Sequence, residues 1–269
     1  MPDIKENTRP IGVFDSGVGG LSVLIELRRL LPNENFVFLA DQLYVPYGEK
    51  SKEELVDLGI RITDYLVDQH DIKMLVVACN TSTCNSIAEL REKYSFPIVG
   101  TVPAIKPAAE KTKTKTVAVI STPSTSKSQV LQNLINKNCG NMNVVNIGCK
   151  NLENVVEEGK LNSAKVNNLL LKYLKKVKGS DVDCLVLGCT HYPFLKENIK
   201  RILGPKVLLI DGGYGIAKQT KFLLEIHFMK NNQKRVGETL YLSTGNPVKF
   251  SRVAAELLKH PVSAKTITI

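Results

Sequence analysis

Short runs of β-branched and other apolar residues alternate with longer segments whose apolar positions recur every three or four residues, almost throughout the 269-residue chain. The short runs read as buried strands and the longer segments as amphipathic helices. Strands are expected at 11–15, 36–40, 74–78, 98–100, 117–120, 144–147, 184–188, 207–210 and 239–243. Helices are expected at 21–31, 52–69, 82–94, 125–136, 152–176, 194–203 and 216–229. In the longest, Val166, Leu169, Leu170, Tyr173, Leu174 and Val177 repeat at helical spacing. The alternation predicts α/β architecture with mainly parallel sheets. The rhythm breaks over 101–116, where Pro103, Pro107 and a Lys/Thr alternation intervene, and a return crossing is expected near 210–213. One α/β domain is therefore expected over 1–101 plus 211–269, and a second over 102–210.

Two segments echo one another across these halves. Met74-Leu-Val-Val-Ala-Cys79-Asn-Thr and Asp183-Cys-Leu-Val-Leu-Gly-Cys189-Thr-His are each an apolar strand ending in cysteine, followed by hydroxyl or amide side chains and a helical pattern. Ligands of open parallel sheets bind outside the carboxyl ends of the strands, so both thiols are expected to face a site. A following helix would offer unpaired N–H groups and its positive dipole end to a thiolate. That influence, or a cationic neighbour, would draw a thiol down from its ordinary pKa of roughly 8.5 towards a working base. Two such thiols suit inversion of an α-carbon, one removing a proton from one face while the other supplies a proton to the opposite face. Cys84, Cys139, Cys149 and Cys184 lack this context and read as small apolar filler.

Six cysteines without a secretion signal read as reduced thiols, and their spacing fits no zinc motif. No apolar run approaches a membrane span, and Met1–Arg9 is polar and of mixed charge, so a cytoplasmic protein is expected. The net charge of +10 favours anionic partners. The basic residues are scattered over helical segments such as Lys172, Lys175, Lys176 and Lys178, without interleaved aromatics, so no nucleic-acid partner is expected.

Further polar groups collect at strand ends. Phe14-Asp15-Ser16-Gly17-Val18-Gly19-Gly20 leaves a strand as an anion-cradling type of turn, although its spacing matches neither the dinucleotide fingerprint nor a Walker loop. Asp15 is a candidate to orient a thiol or hold an ammonium, and helix capping accounts for it equally well. Ala40-Asp41 through Val45-Pro46-Tyr47-Gly48 leaves another strand as a loop whose backbone amides could meet a carboxylate. Thr190 and His191 follow the second thiol, placing an imidazole within reach of it as an acid/base partner.

Together these motifs, with Ala78-Cys79-Asn80-Thr81 and Leu187-Gly188-Cys189-Thr190-His191-Tyr192-Pro193, resemble glutamate racemases of the aspartate/glutamate racemase superfamily. The resemblance implies two pseudo-symmetric α/β domains with glutamate bound at their interface. It also implies turnover without pyridoxal phosphate, metal or nucleotide, supply of D-glutamate for peptidoglycan, and a homodimer. Carried onto this chain, Cys79 assisted by Asp15 would serve one face and Cys189 assisted by His191 the other. Substrate contacts would come from Asp15, Ser16, Tyr47, Gly48, Asn80, Thr81, Thr190 and His191. The family also carries an acidic helper in this region; Glu157 is the best candidate, with Glu153 and Glu158 open and a solvated acidic helix start as the plain alternative.

The chain departs from the family pattern at Gln42-Leu43, Ser82-Thr83-Cys84 and Asp211-Gly212-Gly213-Tyr214, which leaves fine specificity, domain motion and regulation outside what the likeness implies. Two rivals remain in view: a relative acting on aspartate or another acid, and a basic binding protein using the strand-end cysteines only as filler.

Overall fold

The computed structural model describes residues 7–269; residues 1–6, part of the polar stretch read for its lack of a leader, lie outside that description. The strands are β1 (Ile11–Asp15), β2 (Phe36–Ala40), β3 (Met74–Val77), β4 (Ile98–Gly100), β5 (Thr116–Ser121), β6 (Asn143–Gly148), β7 (Cys184–Leu187), β8 (Leu208–Ile210), β9 (Thr239–Ser243) and β10 (Ala264–Thr266). Among the described residues they form two sheets, ordered β10-β9-β2-β1-β3-β4 and β6-β5-β7-β8, with parallel pairing throughout.

The helices are α1 (Leu21–Leu30), α2 (Lys52–His70), α3 (Asn80–Lys93), α4 (Ile105–Lys111), α5 (Pro123–Lys127), α6 (Gln129–Cys139), α7 (Leu152–Glu157), α8 (Ala164–Leu174), α9 (Lys196–Leu203), α10 (Gly213–Ile226) and α11 (Pro247–Leu258). They cover both faces of each sheet, which is why the strands read as continuous apolar runs. One core cluster runs from Val13 and Phe38 on the first sheet, through Leu24 and Phe250 on flanking helices, to Leu185 and Leu170 in the second half. A separate cluster with Phe14, Leu39, Leu66 and Leu90 fills the other face of the first sheet, and a third with Val117, Leu131 and Val186 fills the other face of the second. Each such aliphatic side chain contributes about 1.5–3 kcal/mol on burial.

The strand order reverses direction beside β1 and again beside β5: β2 lies on one side of β1 and β3 on the other, and β6 and β7 flank β5 likewise. Such switch points open a crevice at the carboxyl ends of the strands. The registers match there: Ala78 N–H donates to Phe14 O at 2.8 Å, and Gly188 N–H donates to Ile120 O at 2.8 Å. The next residue in each case is the strand-end cysteine.

Several boundaries differ from the sequence reading. The helix expected over 152–176 is two, because Gly159 takes φ +73° and Ser163 accepts the Val166 N–H to start α8. The helix expected over 125–136 is divided at Ser128, which ends α5 and caps α6. Helix α11 and strand β10 lie beyond the last expected element. Asn246 opens α11 by accepting from the Val248 and Lys249 amides, with Pro247 at its first turn.

Candidate active site

Asp15, Ser16, Cys79, Asn80 and Thr81 come from the ends of β1 and β3, and Cys189, Thr190 and His191 from the end of β7; all are buried. Except for Asp15, they line one narrow cleft, together with Tyr47, Gly48, Thr122 and Glu153. No lysine or arginine lines it, so an anionic ligand meets hydroxyls, the Asn80 amide and backbone N–H groups. The Asn80 Oδ1 is buried without a hydrogen-bond partner.

Cys79 caps α3 as the thiol reading anticipated, accepting the Ser82 N–H at 3.5 Å. Its S–H points to Ser16 Oγ at 3.9 Å, and Ser16 Oγ–H donates to Asp15 Oδ1 at 3.3 Å. Asp15 does not touch the thiol directly. Its Oδ1 also accepts the Gly17 N–H at 2.9 Å, and its Oδ2 accepts the Thr190 hydroxyl at 2.9 Å. Cys189 differs from Cys79 in its support, because a 3₁₀ turn over Tyr192–Leu195 intervenes before α9. In place of a helix start, His191 Nδ1 lies 3.6 Å from Cys189 Sγ.

The expectation that helix ends would draw both thiols towards neutrality is corrected by burial. Desolvation, followed by the nearby Asp15 carboxylate, pushes the Cys79 thiol well up despite the Ser82 N–H. Desolvation pushes Cys189 up too, and the His191 hydrogen bond opposes it. Burial disfavours the His191 cation, yet its bonds to Cys189 and Glu157 outweigh this and hold the imidazole proton more tightly than usual. Burial raises the Asp15 carboxyl as well, against the pull of His191, Gly17 and Thr190.

Glu157 is the acid that reaches this site through contacts. Its Oε1 lies 2.6 Å from His191 Nε2 and accepts the Val18 N–H at 2.7 Å, while its Oε2 accepts Gln42 Nε2 at 2.7 Å. Glu158, one residue on, turns outward to Lys160 and Lys165. Glu153 lines the cleft without touching His191. Tyr47 donates to Asp41 Oδ2 at 2.5 Å, and Thr244 donates to Asp41 Oδ1 at 2.7 Å, which fixes the Pro-Tyr-Gly loop. The glycine-rich turn gives clearance: a Cβ at Gly17 would overlap the Glu157 carboxylate, and one at Gly19 would overlap the His191 ring. Of the cysteines read as filler, Cys139, Cys149 and Cys184 are buried and Cys84 is half-buried.

Sequence reasoning missed Thr122 and the part played by Gln42. Thr122 follows β5 as Ser16 follows β1, and its hydroxyl lies 2.9 Å from that of Thr81, joining the two halves. The matched registers of the two sheets are the signal that finds it. Gln42, a departure from the family pattern, belongs to the Glu157 network.

The Asp/Glu/Hydantoin racemase family model matches residues 19–220. A glutamate racemase of Herpetosiphon aurantiacus is 42% identical over 245 residues, covering 91% of this chain and 96% of that protein. The solved structure of a glutamate racemase isoform from Bacillus anthracis superposes with a TM-score of 0.88 at 31% identity, covering 98% of both chains. That of glutamate racemase from Francisella tularensis in complex with D-glutamate gives 0.85 at 31% identity, covering 97% of this chain and 98% of the other. With two strand-end thiols flanking one cleft and this likeness over nearly its whole length, the chain belongs to the Asp/Glu/Hydantoin racemase family, among its glutamate racemases.

Proposed function

We propose that Cys79 and Cys189 are the two bases of this racemase, acting from opposite faces of the glutamate α-carbon. The protein interconverts L- and D-glutamate. The observation that carries the two-thiol reading is the matched placement of the thiols at the two sheet switch points, flanking one cleft.

For one enantiomer, Cys189 passes its S–H proton to His191 Nδ1, and Glu157 stabilises the resulting imidazolium. The Cys189 thiolate removes the α-proton, and the Cys79 S–H delivers its proton to the opposite face as the carbanion collapses. For the other enantiomer the roles exchange, with Cys79 losing its proton through Ser16 towards Asp15. Negative charge growing on the substrate α-carboxylate meets neutral donors, among which Asn80, Thr81, Thr122 and Thr190 stand at the strand ends. Ser16, whose hydroxyl is held by Asp15 behind the cleft wall, meets the ammonium, and Tyr47 and Gly48 close the cleft beside it.

We place the protein in the cytoplasm as a supplier of D-glutamate for peptidoglycan, acting as a homodimer of chains in which 1–101 plus 211–269 and 102–210 are the two domains. Six free cysteines suit a reducing compartment. Among the described residues, no helix is long and apolar enough to cross a membrane.

Circular dichroism of L- and D-glutamate incubated with the protein in D₂O, with α-deuterium read by mass spectrometry, tests the reading. Both enantiomers should exchange and interconvert. Cys79→Ala and Cys189→Ala should each lower racemisation by roughly 10²–10⁴-fold, the usual worth of a positioned acid or base, with the fold intact. Turnover of aspartate alone would defeat the substrate assignment, and full activity in either variant the two-base assignment.

A further inference from the structure

Glu153 lines the cleft, whereas Asp15 and Glu157 stand behind its wall. It lies in the first turn of α7, one helical turn before Glu157, and lines the cleft with Tyr47, Gly48 and Cys189. Only 7% of it is exposed, and its Oε2 is buried with no hydrogen-bond partner among the described residues. The other two acids are satisfied: Asp15 accepts from Gly17 and Thr190, and Glu157 from Val18 and Gln42. A buried carboxyl oxygen without a protein partner is unfavourable, and a polar group entering the cleft would complete it.

The surroundings decide which form of the carboxyl does so. Glu49 and Tyr47 face Glu153 from the loops after β2, Cys149 and Lys150 from the loop entering α7, and Cys189, His191 and Tyr192 from the end of β7. Lys150 is paired with Glu49 at 2.9 Å on the exposed rim, and no lysine or arginine lines the cleft. Burial and then the Glu49 charge raise the Glu153 carboxyl above its ordinary range, while its own N–H, His191 and the Asn151 N–H oppose them.

The geometry points to Glu153 as a substrate-binding and specificity-determining residue whose carboxylic-acid form donates its Oε2 hydrogen to a carboxylate of the bound amino diacid. This rests on the reading of the cleft as a glutamate site. Such a ligand brings two carboxylates and one ammonium. An ionised Glu153 would set like charge against a ligand carboxylate. An acid O–H turns that repulsion into a charge-assisted hydrogen bond. Binding therefore takes up a proton wherever free Glu153 is ionised, and the KM for glutamate rises as pH rises through its titration.

Calorimetric titration of the full chain with D-glutamate, in buffers of different ionisation enthalpy, measures this uptake, and racemisation gives KM across the same pH range. The unchanged chain should take up about one proton per glutamate on the alkaline side of that titration. Glu153→Gln, which keeps a donor and nearly the same shape, should abolish the uptake and flatten KM against pH. Glu153→Ala should raise KM about tenfold on the acid side, the worth of one hydrogen bond to a charged group. Thermal melts establish that both variants are folded. Uptake and a KM profile unchanged in Glu153→Gln would overturn the inference while leaving the racemase reading intact. Failure of the unchanged chain to bind and racemise glutamate would defeat that reading and the inference with it.

Discussion

Thr190 donates its hydroxyl to Asp15 Oδ2 at 2.9 Å across 175 positions of sequence, so the residue after one thiol holds the acid connected through Ser16 to the other. This oxygen pair joins the two half-sites at the strand ends, as the Thr81 and Thr122 hydroxyls do at 2.9 Å.

Asp15 gives a prediction about stability as well as rate. Burial raises its folded-state pKa, so the fold prefers the neutral acid, and this stabilisation is present in acid and lost as pH rises through the folded value. Asp15→Asn removes a buried charge while keeping an acceptor for Gly17. Its Tm should exceed that of the parent at neutral pH, with the gap closing in acid, while racemisation falls by roughly 100-fold or more. Thermal scans at the two pH values check this; a parent that melts higher at neutral pH contradicts it.

Glu157→Gln removes the carboxylate that supports the His191 cation. The imidazole proton should then be lost at lower pH than in the parent, read directly by NMR of the ring protons. Racemisation should slow by roughly 10-fold to 100-fold in kcat/KM, equally in both directions because the two enantiomers are equal in free energy, as for loss of a group that orients a catalytic side chain. Unchanged turnover together with an unchanged imidazole titration would place Glu157 outside this network.

Gly19→Ala tests the clearance role of the glycine turn. Its Cβ would overlap the His191 ring, displacing the imidazole from Cys189, and activity should fall with little change in the far-ultraviolet spectrum. Gly215→Ala in α10 is the control: nothing lies within 4 Å of the added Cβ, and the variant should be more stable by about 0.5–1 kcal/mol. Comparable losses of activity in both variants would remove the argument from local crowding.

The strand-end thiols were legible because apolar β-branched runs, bounded by polar residues, fix where a parallel strand stops. Asp15, Thr190 and His191 were legible for the same reason. The supporting contacts were not. Glu157 and Glu158 are neighbours in sequence that a helix turns in different directions, and only packing against the Gly17–Gly19 turn shows which one meets His191. Thr122 lies in a segment whose pattern signals a helix start, and its approach to Thr81 depends on how two sheets dock. The break before α8 was written in Gly159 and Ser163, but apolar spacing runs across it and hid it. The effect of burial on the thiols could not be read from local sequence, because Cys79 packs against Tyr47, Leu55 and Leu58, which lie well before it in the chain.

The placement of β9 beside β2 has a consequence for biosynthesis. Strand β2 is made early, whereas its outer partner emerges only after the whole second sheet has been translated. Until then, Phe36–Ala40 presents an open parallel edge flanked by apolar side chains, a template for unwanted pairing between nascent chains. The second sheet has no such wait, because β5 to β8 leave the ribosome in one uninterrupted stretch. Synthesis therefore exposes the Cys79 half to aggregation for longer than the Cys189 half.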